Sequence, residues 1–332
     1  MPELLNKTGP IAQVANIIRE NDRFLVVSHL RPDGDSLGSQ TALLLALRAL
    51  GKTASAWAVE PIHRKWSFLP GVHHISTEMP DWTPEVTLVV DCGAAYRVAE
   101  GFQPVGKVVD IDHHLSNDMF GDVNWVDTEA CATGEQIYAL LAELDVPLSP
   151  EIASCLYVAV MTDTGGFRFS NTTAQAFRIA ADCVMAGADP AEIGLHIFET
   201  RPAGEFLLRA KVFGSLHFEY DGALVWSEIH MVDYDAAGGE EVEPEGLSSE
   251  IRGIEGVEIA VLLHEMPEGT LRVNFRGKGK VDCSRIATAC GGGGHFNASG
   301  AVVRGMPYEE ARDFVLGKVR EAVADWKSAG GI

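Results

Sequence analysis

Along the first half of the chain, short apolar runs alternate with stretches of helical spacing. Phe24 to Ser28, Thr53 to Val59, Val86 to Val90 and Lys107 to Ile111 are brief, rich in β-branched residues and bounded by polar or glycine-containing segments, which predicts strands. Between and after them lie predicted helices. Ile11 to Glu20 is one and Leu37 to Leu50 another, the latter stopped at Gly51. Ile137, Leu140, Leu141 and Leu144 form an apolar stripe, as do Ile152, Cys155, Leu156, Ala159 and Val160, and Asn171 to Gly187 reads as a further helix. Strand and helix in alternation predict a parallel sheet.

The pattern then changes. Asp189-Pro190, Arg201-Pro202 and Gly204 suggest a connector over 201–217, with a second domain from Phe218 onward. A hairpin is expected around Asp221-Gly222, a strand pair at Gly256 to His264 and Thr270 to Phe275, a helical turn at Ile286 to Cys290 and an apolar run at Ala298 to Val303. The expected fold is therefore α/β twice over: an N-terminal parallel-sheet domain (1–200) and a smaller C-terminal mixed-sheet domain (218–332). The interval from Asp233 to Glu258 holds nine acidic residues and one basic; its less apolar part reads as a solvated loop and helix face, and the segment is given no catalytic role.

Composition narrows the choices. A chain of 332 residues with 46% hydrophobic content can fill two cores. Its six cysteines are scattered without a CxxC pair, mostly within apolar stretches, which favours reduced thiols and a cytoplasmic setting. The start, Met1 to Leu5, lacks a targeting pattern, no run approaches membrane-spanning length, and no membrane partner is expected. With 26 basic against 47 acidic residues and a net charge of −21, the chain is a poor candidate for an extended groove on long nucleic acid. A local basic cluster at Arg272, Arg276, Lys278, Lys280 and Arg285 can still hold a few phosphates.

The candidate chemistry sits where the apolar runs stop: His29-x3-Asp33-x-Asp35, Asp91, Asp112-His113-His114 and Asp163. In an open α/β sheet, strand ends are where ligands bind. One aspartate in such a place is more often a turn residue or a cap, and Asp35 and Ser36 suit the cap of a helix beginning near Leu37. Their joint occurrence points to metal. Two divalent cations roughly 3.5 to 4 Å apart need about three protein ligands each and a shared carboxylate. His29, Asp33, Asp35, Asp91, His113 and Asp163 suffice, and imidazole mixed with carboxylate suits Mn²⁺ better than a thiolate-preferring ion. Such a pair activates water for attack on phosphorus. His73-His74 has no carboxylate at ligand spacing and reads as surface loop.

The runs Ser28 to Ser39, Val90 to Gly93, Asp112 to His114, Thr162 to Phe167 and Gly291 to His295, in this order, resemble the DHH phosphoesterase family over nearly the whole chain. Within it the chain is most similar to the branch of nanoRNases and 3'-phosphoadenosine 5'-phosphate (pAp) phosphatases. The resemblance implies one cation on His29, Asp33 and Asp91 and a second on Asp35, Asp91, His113 and Asp163, with Asp91 bridging; Mn²⁺ is expected, Mg²⁺ or Co²⁺ being alternatives. It also implies that His114 binds phosphate and protonates the leaving group, while Asp112 orients a neighbour. Arg276, Gly292, Gly293, Gly294 and His295 would bind the nucleotide, the glycine run acting as a nest of backbone N–H groups. The active site is then expected in a cleft between the domains. Very short RNA and pAp are the implied substrates, and a homodimer is compatible. Hydrolysis of cyclic dinucleotides or pApA, RecJ-like exonuclease chemistry, and a nucleotide sensor without turnover are the rival readings; a manganese pyrophosphatase would share the metals but leave the glycine-histidine module without a use.

Overall fold

A computed structural model describes residues 9–239 and 246–330. The N-terminal residues considered above for targeting, and 240–245 of the acidic interval, lie outside this range. The chain divides at Thr200/Arg201 into two compact units.

In the first unit, α1 (Pro10–Glu20) leads to β1 (Arg23–Val27), α2 (Gly34–Ala49), β2 (Thr53–Trp57), β3 (Ile75–Ser76), β4 (Val86–Val90), β5 (Lys107–Asp112) and β6 (Val123–Val126). Four helices follow: α3 (Thr133–Glu143), α4 (Pro150–Asp163), α5 (Ala174–Met185) and α6 (Pro190–Gly194). All six strands are parallel, in the order β3-β2-β1-β4-β5-β6. Parallel sheets are covered on both faces, which is why the central strands read as unbroken apolar runs. Phe24, Val26, Leu88, Val90, Val109 and Ile111 belong to the main core, while Leu25, Val27, Val89 and Val108 pack with Val98 and Phe102 in another. Strand order reverses between β1 and β4. Their carboxyl ends flank the crevice where such sheets receive ligands.

Two sequence expectations shift here. Helix α2 begins at Gly34, three residues earlier than its apolar pattern shows, because Asp33 is its N-cap and accepts the Ser36 backbone N–H at 3.0 Å. Asp35 and Ser36 are thus inside the first turn and do not cap it. Asp163 is the last residue of α4 instead of lying past its end. Helix α2 is buried along most of its length and lies against α4 at very short range: a Cβ on Gly38 would sit 2.4 Å from the Cys155 carbonyl oxygen. Gly38→Val should therefore destabilise the protein by about 2–3 kcal/mol in urea titrations, since the obstacle is backbone and cannot rotate away.

The second unit comprises α7 (Ala203–Gly214), β7 (His217–Glu219), β8 (Leu224–Ile229), α8 (Met231–Ala237), α9 (Leu247–Arg252), β9 (Ile259–Met266), β10 (Thr270–Gly277), α10 (Cys283–Ala289), β11 (Gly293–His295), β12 (Ala298–Val303) and α11 (Tyr308–Ser328). The stretch expected as a connector is largely α7, whose Leu208 and Val212 are buried with α8, α9 and the sheet. Its interruptions at Pro202 and Gly204 mark the helix start. The sheet runs β11-β12-β10-β9-β8-β7, with β8 and β9 parallel and the remaining pairs antiparallel, so it is mixed as expected. Leu224, Val261, Val273 and Phe275 face α10 and α11, whereas Val225, Ala260 and Leu262 pack with α7, α8 and α9. Among the described residues, no helix is long and apolar enough to cross a membrane. All six cysteines are buried and none is in a disulfide.

Candidate active site

Three strand ends and two helix ends of the first unit bring the candidate donors together. His29 lies just past β1, Asp91 follows β4, and His113 and His114 follow β5; Asp33 and Asp35 stand at the start of α2, Asp163 at the end of α4. His29, Asp33 and Asp91 have donor atoms within 4.8 Å of one another, as do Asp35, His113 and Asp163, and also Asp91, His113 and His114. His113 Nε2 is 3.8 Å from Asp35, 3.7 Å from Asp91 and 3.9 Å from Asp163, and His29 Nε2 is 3.7 Å from Asp91. Those separations are too long for hydrogen bonds and short enough for one ion to touch both atoms.

The imidazoles are oriented for coordination. His29 Nδ1 is 2.8 Å from the Leu30 carbonyl and His113 Nδ1 is 3.2 Å from that of Ala130. A carbonyl only accepts, so each Nδ1 carries the proton and each Nε2 keeps its lone pair for the cluster.

Electrostatics point the same way. Burial, followed by repulsion from Asp91, Asp163 and Asp33, pushes the Asp35 carboxyl well above the usual range. Burial and Asp33 raise Asp91, and burial foremost raises Asp163 to about 7. Asp33 alone of the four goes the other way: burial would raise it, but His29 and hydrogen bonds from Ser36 outweigh that. Among the described residues, no lysine or arginine forms an ion pair with any of the four. Two buried carboxylates, Asp35 and Asp91, beside the half-buried Asp163 and the exposed Asp33, without a paired lysine or arginine among the described residues, suit divalent cations.

Several functional neighbours escaped the sequence reading. Ser36 Oγ lies 2.6 Å from both His29 Nε2 and Asp91 Oδ2, and Thr133 Oγ1 donates to Asp91 Oδ1 at 3.2 Å. The Thr133 and Gly134 N–H groups, at the start of α3, donate to Asp35 at 2.7 and 2.9 Å, and Asn171 Nδ2 donates to Asp163 at 3.1 Å. The proximity of Ser36 to an acid was visible as a cap signal; Thr133 and Asn171 arrive from distant segments and carry no local mark.

Asp112 Oδ1 binds His114 Nδ1 at 2.7 Å, and Asn117 Nδ2 bridges Asp112 and Asp110 at 2.7 and 2.8 Å. Burial would lower the His114 pKa, but Asp112 and Asp91 overcome it and hold the ring at about 9, cationic at neutral pH. Asn117→Ala frees Asp112 to turn and should lower kcat by about 10- to 100-fold, a range found for such supporting partners. Steady-state kinetics check it; unchanged kcat would remove Asn117 from this chain of contacts.

In the second unit, the glycine run departs from expectation. Gly291 and Gly292 donate their N–H groups to Thr288 and Ala287, closing α10, so neither is available to an anion. Glycine is required at 292 because a Cβ would lie 2.1 Å from the Gly300 oxygen, and at 294 because one would lie 2.7 Å from Ala298 and Ser299 backbone atoms. The close backbone approach is to β12. Gly293 to His295 form an exposed edge strand instead of a nest. His295 and Arg276 both pair with Ala298, one from each side, so they share a row on one face of the sheet. The basic cluster is also split: Lys278 binds the Ile254 carbonyl and Lys280 pairs with Glu258.

Comparison with known proteins agrees with this layout. The model of the DHH family, N-terminal domain, matches residues 23–160, and that of the DHHA1 domain matches 234–325. A bifunctional oligoribonuclease and PAP phosphatase NrnA from Thermus thermophilus is 36% identical over 321 residues, covering 96% of this chain and 95% of the relative. The chain belongs to the DHH family. A second relative of the same description, from Bacillus subtilis, is 31% identical, with 85% and 90% covered. An exopolyphosphatase-related protein from Bacteroides fragilis, 23% identical, has the same fold with a TM-score of 0.88, covering 98% of this chain and 100% of that one. The DHH match contains every candidate donor except Asp163, which lies three residues beyond it, and the DHHA1 match contains Arg276 and the glycine-histidine run.

Proposed function

We propose that this DHH protein is a metal-dependent phosphoesterase that hydrolyses very short RNA oligonucleotides to mononucleotides and pAp to AMP. The observation that carries the reading is the cluster of carboxylates and imidazoles around the buried Asp35 and Asp91 at the sheet's reversal point, with no lysine or arginine paired to its carboxylates among the described residues, in a chain alike over nearly its whole length to a relative described by both activities. We take the bound ions to be two Mn²⁺, with Mg²⁺ or Co²⁺ as substitutes: His29, Asp33 and Asp91 would hold one, and Asp35, Asp91, His113 and Asp163 the other. When bound, such ions lower the pKa of water and absorb charge developing on phosphoryl oxygens.

The protein's own groups then divide the remaining work. Asp91 presents one oxygen to each donor group, so it fixes their spacing. Thr133 and Gly134 N–H groups hold Asp35 in place, and Asn171 does the same for Asp163. His114, its Nδ1 held by Asp112, is placed to bind a phosphoryl oxygen and to supply the proton that the departing ester oxygen takes. On the DHHA1 sheet, Arg276 and His295 offer donors to the nucleotide. Buried unlinked cysteines and the acidic surface fit a reducing cytoplasm, where we place the protein.

The test is turnover, side by side in Mn²⁺, of pAp, five-nucleotide RNA, a longer RNA, pApA and cyclic di-AMP. Fast release from pAp and short RNA is the expected result. Preference for cyclic di-AMP or long strands would replace it with a sibling activity, and binding without turnover would make the chain a sensor.

A further inference from the structure

Strand β10 carries Arg272, Asn274 and Arg276 at alternate positions, so all three side chains project from one face of the sheet. Register extends the row structure across neighbouring strands: Arg276 with Ala298 and His295, Asn274 with Gly300 and Gly293, Arg272 with Val302. Gly300 and Gly293 leave the middle row without side chains, and Val302 is 40% exposed. On this face β9 is covered by α7, α8 and α9, with Ala260, Leu262 and His264 buried, while β10 is half-buried and β11 exposed; the opposite face is sealed by α10 and α11.

Arg272 is the unexplained member. Its Nε is buried without a hydrogen-bond partner, and among the described residues its guanidinium makes no hydrogen bond or ion pair. The residues directly beside it in register, His264 and Val302, offer no acid, and His264 is held neutral by burial and by the arginine's own charge. A half-buried cation with an unmet donor in a chain of net charge −21 needs a reason. At about 3.4 Å per residue, its Cα is roughly 13 Å along the strand from that of Arg276. Arg276 is itself folded back, donating to the Phe275 carbonyl, so the two guanidiniums do not converge by default.

We propose that Arg272 binds a backbone phosphate of an oligonucleotide beyond the nucleotide held at Arg276 and His295, and thereby sets preference for RNA of several nucleotides over pAp. This rests on the function proposed above. Asn274 and the bare glycine row between the two arginines provide the floor over which the intervening nucleotide lies.

The experiment compares wild type with Arg272→Gln and Arg272→Lys on pAp, a dinucleotide and a five-nucleotide RNA. For Arg272→Gln, KM for the five-nucleotide RNA should rise about tenfold with kcat unchanged, and the slope of log affinity against log salt should fall by about 0.7, one phosphate contact on a single strand. KM for pAp should not change, and Arg272→Lys should recover part of the loss. Equal effects on pAp and RNA, or no effect on either, would overturn the proposal. If the wild type turns over none of these substrates, the parent function fails; fluorescence anisotropy of labelled five-nucleotide RNA then decides Arg272 by the same comparison, with unchanged affinity overturning it.

Discussion

Asp91→Asn should lower turnover of pAp and five-nucleotide RNA by about 10³-fold or more, the scale at which loss of electrostatic stabilisation reaches a reacting phosphoryl group. Asp91 belongs to the group with His29 and Asp33 and to the group with His113 and His114, and the latter shares His113 with Asp35 and Asp163. Its Oδ2 faces His29 and Ser36, and its Oδ1 faces His113, His114 and Thr133. An amide supplies one weak oxygen where a carboxylate supplies two charged ones, so both proposed ion sites would lose a ligand together. The backbone should tolerate the change: Asp91 has φ 54°, a left-handed conformation that asparagine adopts as readily as aspartate, and its N–H is tied to Ile111 at 3.0 Å. Calorimetric titration with Mn²⁺ should show the two-ion stoichiometry reduced while circular dichroism stays unchanged. Turnover within tenfold of wild type would show that Asp91 does not link the two groups.

Metal-free protein should lose stability as the pH rises from about 4 to 8, opposite to the usual behaviour of a carboxylate-rich chain. Burial and mutual repulsion raise Asp35 and Asp91 above the ordinary aspartate value of 3.8, and raise Asp163 to about 7. Within that window the folded state binds more protons than the unfolded one, so stability is full below the unfolded pKa and falls as pH climbs through the folded values. Asp33 and Asp112, which are lowered, contribute in the other direction only as pH falls below the unfolded value, outside this window, and His264, which burial lowers from 6.5 to about 3, opposes the fall below pH 6.5 by one proton against those of the three raised carboxylates. Cations bind the deprotonated carboxylates, so Mn²⁺ should restore more stability at pH 8 than at pH 5; at 1,000 times Kd the gain is about 4 kcal/mol. Thermal unfolding in EDTA and in Mn²⁺ across this range checks both. A melting temperature in EDTA that holds or rises between pH 5 and 8 would remove the uncompensated-charge account of the site.

Much of this was legible before any coordinates because burial on both faces forces parallel strands into unbroken apolar runs, and chemistry collects where such runs end. His29, Asp91 and the Asp112-His113-His114 triplet were placed by that rule. What sequence could not show was who holds them. Asp35 resembled a cap for its own helix, yet its carboxylate is bound to the N–H groups of α3, nearly a hundred residues away. Asn117 is near its partners in sequence, but its bridging of Asp110 and Asp112 depends on the turn after β5. The glycine run misled for a related reason: glycine marks close backbone approach, and nothing local says whether the approaching body is a ligand or, as at Gly292 and Gly294, the next strand of the same sheet. The helix at Ala203–Gly214 was read as a connector because proline and glycine at a helix start look like a linker when the helix is only a few turns long.

The way α2 and α3 begin has a consequence for selectivity among anions. A helix start facing a sheet's crevice is ordinarily a ready seat for phosphate, because its free N–H groups and dipole attract negative charge. Here both seats are taken from within: Asp33 occupies the start of α2 and Asp35 that of α3. Stripped of cations, the crevice should repel inorganic phosphate, sulfate and free nucleotides alike. Ester recognition at this end of the sheet would thereby become conditional on metal loading, and an unloaded molecule would not sequester the cell's abundant anions in an unproductive complex.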